Sequence, residues 1–341
     1  MRGRWIVRLP TWLGDTIMAV PTIRALGRTV DELVLWGPES HGRLLQATGV
    51  RGRVLPHQQR RGIGRLLGLR RAVSDVVRLA PAGTLLLPNA FEPALVSALA
   101  NVRRRIGYAT DMRGFLLTEA LPTTDTLAPI HDAARYARLL EPLNAAPPRP
   151  GDMLLAPPAN SHARVRRLIE TDQPMLGVIP GCANGPAKRW PAASYGALAS
   201  AAARRWQALP VILGGPQDVE IAARVAAACD VDSVNIAGRT DLIDLAAVLS
   251  DCRAIISNDT GAAHLAAALS TPTLVLFGPT DPRRTRPIGP HVQVASVAAF
   301  CQPCLAKNCP IDHRCMTGLT LEQALDGLEP LWRAGRDNPT G

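Results

Sequence analysis

Ala254-Ile255-Ile256-Ser257-Asn258-Asp259-Thr260-Gly261-Ala262-Ala263-His264 is the stretch on which the fold of this chain turns. Residues 254–257 form an apolar run too short for a helix and bounded by turn residues, which reads as a buried strand. Asn-Asp-Thr-Gly supplies turn chemistry, and small residues over 262–269 start a helix at once. Strand, polar turn and helix make a βα unit, and a chain of such units builds a parallel sheet covered by helices.

The same alternation continues on both sides. Residues 273–277 read as the next strand. Upstream lie a helix (242–250), a strand (234–236), a helix (219–228) and a strand (210–213) ending in Gly214-Gly215. Before these come a helix at 195–205 and a strand at 175–179 that ends in Pro180-Gly181. The Pro- and Ala-rich stretch 144–161 interrupts the pattern and reads as a linker. In the first half, strands are expected at 5–9, 33–36 and 84–87, the last ending at Pro88-Asn89. A turn at Gly14-Asp15 leads into a helix from about 16 to 26. Arg51, Arg53, Arg60, Arg61, Arg65, Arg70 and Arg71, with Arg43 just before, show no strong periodicity and read as a surface loop or short helices. The expectation is an α/β protein of two doubly wound, Rossmann-like domains facing a central cleft. The first spans 1–155 and the second 156–320, with a helix and tail at 321–341. Ligands of such sheets belong at the carboxyl ends of the strands.

Composition agrees. A chain of 341 residues suits two domains of about 150 each. With 47% hydrophobic and 19% charged residues it can fill both cores. The net charge of +10 implies an anionic partner, unless it reflects an Arg-rich background alone. Three Tyr and four Phe are too few to interleave with the basic residues as single-stranded nucleic-acid binding requires. The N-terminal apolar run breaks at Arg8 and Pro10, short of a secretory core. No stretch reaches the roughly 18 apolar residues of a membrane span. A cytoplasmic protein is expected, at most peripheral on the inner-membrane surface.

Three strand ends of the second half are polar. Pro180-Gly181-Cys182-Ala183-Asn184-Gly185-Pro186-Ala187-Lys188 brings small residues and a cation to one loop, as a phosphate site does; a solvated turn would look the same. Gly214-Gly215-Pro216-Gln217-Asp218 offers a carboxylate for ribose hydroxyls, or a cap for the next helix. At 258–261 the helix start and the Thr260 hydroxyl form an anion cradle, with His264 one turn inside. Three such ends in one domain describe a nucleotide-diphosphate pocket.

The strings Gly185-Pro186-Ala187-Lys188-Arg189-Trp190-Pro191 and Asn258-Asp259-Thr260-Gly261-x-x-His264, followed by Phe277-Gly278-Pro279-Thr280, closely resemble the bacterial lipopolysaccharide heptosyltransferases of glycosyltransferase family 9. The heptosyltransferase II branch is the nearer match, and the resemblance covers nearly the whole chain. It implies a GT-B fold, ADP-heptose as donor, an anionic lipopolysaccharide inner core as acceptor, inversion at the anomeric carbon and no metal for transfer. Lys188 would then meet the diphosphate and Asp218 the ribose; Asp259, Thr260, Gly261 and His264 would meet the phosphate and heptose. The resemblance extends to Leu9-Pro10-Thr11-Trp12-Leu13-Gly14-Asp15-Thr16, where Asp15 matches the general base; taken alone, Asp15 reads as a helix cap. Acceptor contacts are expected from Asn89, Arg60, Arg61 and Arg113. Related enzymes that glycosylate a protein such as an autotransporter, and an inactive nucleotide-binding protein, are the alternatives. Retention of Asp15 beside the donor residues argues against the last.

Cys182, Cys229 and Cys252 are scattered and read as small buried residues. Cys301, Cys304, Cys309 and Cys315 cluster around His313. Their density suggests a structural zinc or iron site; free thiols and a disulfide are the alternatives.

Overall fold

The computed structural model describes residues 3–57, 64–123, 129–158 and 162–335. The chain divides into two compact units, Met1–Met153 and Leu154–Gly341, so the change of unit falls inside the Pro- and Ala-rich stretch.

The first unit is built on strands β1 (Arg4–Arg8), β2 (Glu32–Gly37), β3 (Arg53–Pro56), β4 (Gly83–Leu86), β5 (Arg104–Tyr108) and β6 (Glu119–Leu121). They lie in the order β3-β2-β1-β4-β5-β6, all parallel. The second unit holds β7 (Met175–Ile179), β8 (Leu209–Ile212), β9 (Val234–Asn235), β10 (Ala254–Asn258), β11 (Thr273–Phe277) and β12 (Val292–Ser296). Their order is β12-β11-β10-β7-β8-β9, again all parallel. Counted from β9, this is the winding of the first unit repeated. In such sheets the crevice lies where the winding reverses. That point falls between β1 and β4 in one unit and between β7 and β10 in the other.

Each unit has its own core. In the first, Ile6, Val34 and Leu86 of the sheet pack with Ala72, Val76 and Ala94 of the covering helices. In the second, Leu176, Val178, Ile256 and Leu274 pack with Tyr195, Leu198 and Ala202. The C-terminal helix Leu321–Ala334 sends Leu328 and Trp332 into that same core.

Several elements differ from the pattern reading. The first helix is two, Leu13–Met18 and Val20–Gly27. Pro21 has no N–H to give to a continuous helix, so a new one starts with Pro in its first turn. Asp15 therefore lies inside a first turn, not ahead of the helix. In the basic segment, where a surface loop or short helices were expected, the described residues form β3 and a 16-residue helix, Gly64–Leu79. That helix buries Ala72 and Val76 but leaves Leu66 and Leu67 exposed, which blurs its periodicity. Among the described residues no helix is long and apolar enough to cross a membrane.

The first unit closes with an ion pair. Arg28 Nη1 and Nη2 donate to Asp152 Oδ1 and Oδ2 at 2.7 Å each, and Arg24 Nη1 donates to the Asp152 carbonyl at 2.9 Å. The Arg28 hydrogen bond, with the Arg149 backbone N–H and the two guanidinium charges, holds the Asp152 carboxyl below its usual value. A depressed carboxyl stabilises the fold above its unfolded value, near 4, and loses that contribution as pH falls through its folded value. Asp152→Asn should cost about 1–2 kcal/mol at pH 7, and the difference from wild type should shrink below about pH 4. Urea unfolding at pH 7 and pH 3.5 reads both; a pH-independent difference would exclude the charge-based account.

Candidate functional site

In the second unit, β7 and β10 end side by side at the reversal of winding, so their loops leave from adjacent points. Asn258, the last residue of β10, is fully buried and joins them. Its Oδ1 accepts from the Trp190 backbone N–H at 3.1 Å and the Tyr195 hydroxyl at 2.9 Å. Its Nδ2 donates to the Pro180 carbonyl at 2.7 Å. Trp190 is buried, meets Tyr195 edge-on at 5.2 Å between ring centres, and donates its indole N–H to the Leu319 carbonyl at 3.1 Å. The loop 180–190 is thus tied down at both ends.

The next residue, Asp259, sits at the centre of the site. Lys188 Nζ donates to its Oδ2 at 2.6 Å, and Thr280 Oγ1 donates to the same oxygen at 2.8 Å. The Lys188 side chain is 15% exposed and that of Asp259 5%. Lys188 ends a short turn, Pro186–Lys188, and Thr280 follows β11. Three strand ends therefore meet at one carboxylate. Thr260 is the N-cap of the helix Gly261–Ala268, and residues 260–262 stay half-exposed. First-turn N–H groups lack intrahelical partners and carry the positive end of the helix dipole. An ammonium has three donors, and Asp259 takes one. The arrangement offers a cation and a helix start together, a combination that binds phosphate oxygens. His264 lies one turn in and is 5% exposed.

Asp218 is 6% exposed. Its Oδ2 accepts from the Gly215 N–H at 3.1 Å and from Gln217 Nε2 at 3.2 Å, closing the turn after β8 rather than capping the helix that follows. Its Oδ1 is buried without a hydrogen-bond partner among the described residues, and Arg189 Nη2 lies 3.7 Å away. The carboxylate presses on Gly181, where a Cβ would fall 2.2 Å from the Asp218 Cγ, so only glycine fits there.

In the first unit the reversal of winding places Asp15 after β1 and Asn89 after β4. The Asp15 carboxylate accepts a hydrogen bond from the Tyr136 hydroxyl. Burial, then the nearby Asp15 and Asp132 charges, push the Tyr136 pKa well up, so the phenol stays protonated. Asn89 is exposed. Arg113 corrects the expectation of an acceptor contact: it is fully buried. Its Nε donates to the Tyr108 carbonyl at 2.9 Å and its Nη1 to the carbonyls of Pro88 and Ala90, bracing the loop that carries Asn89. Desolvation lowers its pKa to about 10. Arg60 and Arg61 lie outside the described residues.

Sequence reasoning missed Tyr136 and a cluster at the carboxyl ends of β1 to β3. Arg8 is 3% exposed, lies over the Trp36 ring at 4.9 Å and donates to the Trp36 carbonyl at 3.0 Å. His57 Nε2 meets Glu92 Oε1 at 3.2 Å. An arginine closing the apolar run Trp5-Ile6-Val7 was the available signal.

The four clustered thiols, with His313, line one cavity of about 10 Å³, and all four are free. Burial, then the three neighbouring thiols, push the Cys315 thiol up. They converge without forming a ligand shell. Among the described residues no group of three or more His, Cys, Asp or Glu side chains is arranged to hold a metal ion, so the structure does not bear out the expected metal site. Cys182 and Cys252 are buried and Cys229 half-buried, and burial pushes each thiol up.

Known proteins match this chain along most of its length. The family described as glycosyltransferase family 9 (heptosyltransferase) matches residues 83–314. The lipooligosaccharide heptosyltransferase 2 of Haemophilus ducreyi is 34% identical over 60% of this chain, an alignment that spans 62% of that relative. The lipopolysaccharide heptosyltransferase 2 of Salmonella typhimurium is 29% identical over 84% of this chain and 85% of its own length. The solved structure of E. coli ADP-heptose lipopolysaccharide heptosyltransferase II superposes with a TM-score of 0.83 at 24% identity, covering 98% of this chain and 99% of that one, and so shares the fold.

Asn258→Ala takes the partner from the Trp190 N–H and the Pro180 carbonyl and leaves the Tyr195 hydroxyl only the longer bond to the Ile179 carbonyl, at 3.4 Å. It should cost about 2–3 kcal/mol and lower the melting temperature by about 5–10 °C. Scanning calorimetry checks this; an unchanged melt would show that Asn258 does not tie the loops.

Proposed function

The chain belongs to glycosyltransferase family 9, the heptosyltransferases, and we propose that it moves heptose from ADP-heptose to the anionic inner core of lipopolysaccharide. What carries this reading is Lys188, held 2.6 Å from the buried Asp259 at the start of the helix Gly261–Ala268. The second unit is the donor domain. Lys188, Thr260 and the N–H groups at Gly261 face the diphosphate, with Asp259 fixing Lys188 and His264 reaching the phosphate or sugar. The ribose hydroxyls meet Asp218, whose Oδ1 is an acceptor in want of a donor.

The first unit receives the acceptor, with Asn89 beside it and with Arg60 and Arg61 as cationic contacts. Its hydroxyl oxygen attacks the anomeric carbon from the face opposite ADP. The carbon–oxygen bond to ADP breaks, ADP leaves with the electron pair, and Asp15 takes the hydroxyl proton. Tyr136 holds the Asp15 carboxylate in one orientation. Negative charge grows on the departing diphosphate, where Lys188 and the helix start stabilise it by about 3 kcal/mol per well-placed donor. No metal takes part in transfer. The net charge of +10 suits an acceptor presented at an anionic membrane surface, here the cytoplasmic face of the inner membrane.

Mass spectrometry of products after ADP-heptose is offered with a lipid A-core acceptor tests the reaction; absence of a heptose-mass adduct on that acceptor would sink it. Asp15→Asn should lower turnover by about 10²–10⁴-fold with ADP affinity unchanged by calorimetry. Transfer at the wild-type rate would remove Asp15 from the mechanism. Lys188→Ala should weaken ADP binding and turnover together.

A further inference from the structure

Lys188 does not hold its own loop in place. The turn that presents it rests on the cysteine-bearing segment 301–315, which no step of the transfer uses. The Ala187 N–H donates to the Lys307 carbonyl at 3.0 Å. The Ala187 carbonyl in turn meets His313 Nε2 at 2.7 Å. Gly185, at φ +112°, packs so closely that a Cβ would lie 2.5 Å from the Lys307 carbonyl oxygen. Both polar backbone groups of the residue before Lys188 are thus bound by this segment.

The same segment grips the other arm of the site. The Leu305 N–H donates to the Pro279 carbonyl at 2.9 Å, and Gln302 Nε2 donates to the Gly278 carbonyl. Met316 and Cys315 fill the space over Gly278. Thr280, the residue after Pro279, is the second donor to Asp259. Lys188 and Thr280 therefore reach one carboxylate from loops that share a single support.

His313 is the side chain through which that support touches the Lys188 turn. It adopts φ +58°, ψ +24°, a left-handed conformation unusual for a residue with a side chain. The conformation turns its ring toward Ala187, while the four thiols line the cavity behind it. We propose that His313 is a positioning residue for Lys188: its Nε2–H, bonded to the Ala187 carbonyl, sets where the ammonium stands, and the cysteine segment is the scaffold that holds His313. This rests on the donor-site reading of Lys188. His313 touches neither donor nor acceptor.

The test uses the full chain and ADP as the probe. His313→Ala should raise the ADP dissociation constant and the KM for ADP-heptose about tenfold, the loss of one well-made, part-buried hydrogen bond. kcat should fall less. His313→Gln, whose amide N–H can replace Nε2–H, should return both values to within about twofold of wild type, and it is measured whether or not the alanine variant folds. The double variant His313→Ala with Lys188→Ala should bind ADP no more weakly than Lys188→Ala alone, because a residue acting through Lys188 has nothing left to position. Additive losses, a glutamine variant that melts like wild type but binds as weakly as alanine, or unchanged ADP affinity in His313→Ala would each overturn the proposal. Unchanged ADP binding in Lys188→Ala alone would instead refute the donor-site reading.

Discussion

A primary amide buried away from solvent is tolerable only when both of its ends are bonded, and Asn258 meets that condition by joining three pieces of chain. Its oxygen takes the Trp190 N–H and the Tyr195 hydroxyl, and its nitrogen gives to Pro180. The loop between 180 and 190 has no freedom left at either end. Asp259 follows directly, so the direction in which its carboxylate leaves β10 is set by the same bonds. Lys188, reached from the tied loop, and Thr280, reached from β11, then close on a carboxylate that is already in place. Removing the amide would leave the Trp190 N–H and the Pro180 carbonyl desolvated and without their partner, which costs more than the bonds themselves contribute.

The two units share one winding and use it differently. In the second, the reversal of winding carries a cation, a buried carboxylate and a helix start, a combination suited to a diphosphate. In the first it carries Asp15, oriented by a phenol, and an exposed Asn89. Arg113 shows how burial decides a role. A guanidinium cannot leave the interior to meet a ligand once it is bonded to the carbonyls of Tyr108, Pro88 and Ala90. The same donors that would suit an anionic ligand instead brace the loop that carries Asn89. The cysteine segment behaves alike: its chemistry draws attention to the thiols, while its backbone, Gln302 and His313 bond to the loops that carry Lys188 and Thr280.

Much of this was legible in the residues. Buried central strands must be continuously apolar, so β1, β7, β10 and β11 announced themselves, and the turn residues after them marked the ends where a ligand belongs. The strands that went unread were β3, β5, β6 and β12, three of them at a sheet edge and β5 next to one. Half-solvated positions admit Arg53, Arg104, Arg105 and Glu119, and the apolar signal disappears. The break at Pro21 was visible as a proline but was overridden by the periodicity around it.

Local sequence therefore determined the βα repeat, the two units and the set of polar strand ends, because strand and helix periodicity and turn chemistry act over a few residues. Partnership was decided only by the tertiary structure. Lys188 and Asp259 are 71 residues apart, Arg113 and Pro88 are 25 apart, and His313 and Ala187 are 126 apart. A contact across such a separation depends on which strands become neighbours in the sheet, and the number of residues between them carries no record of that.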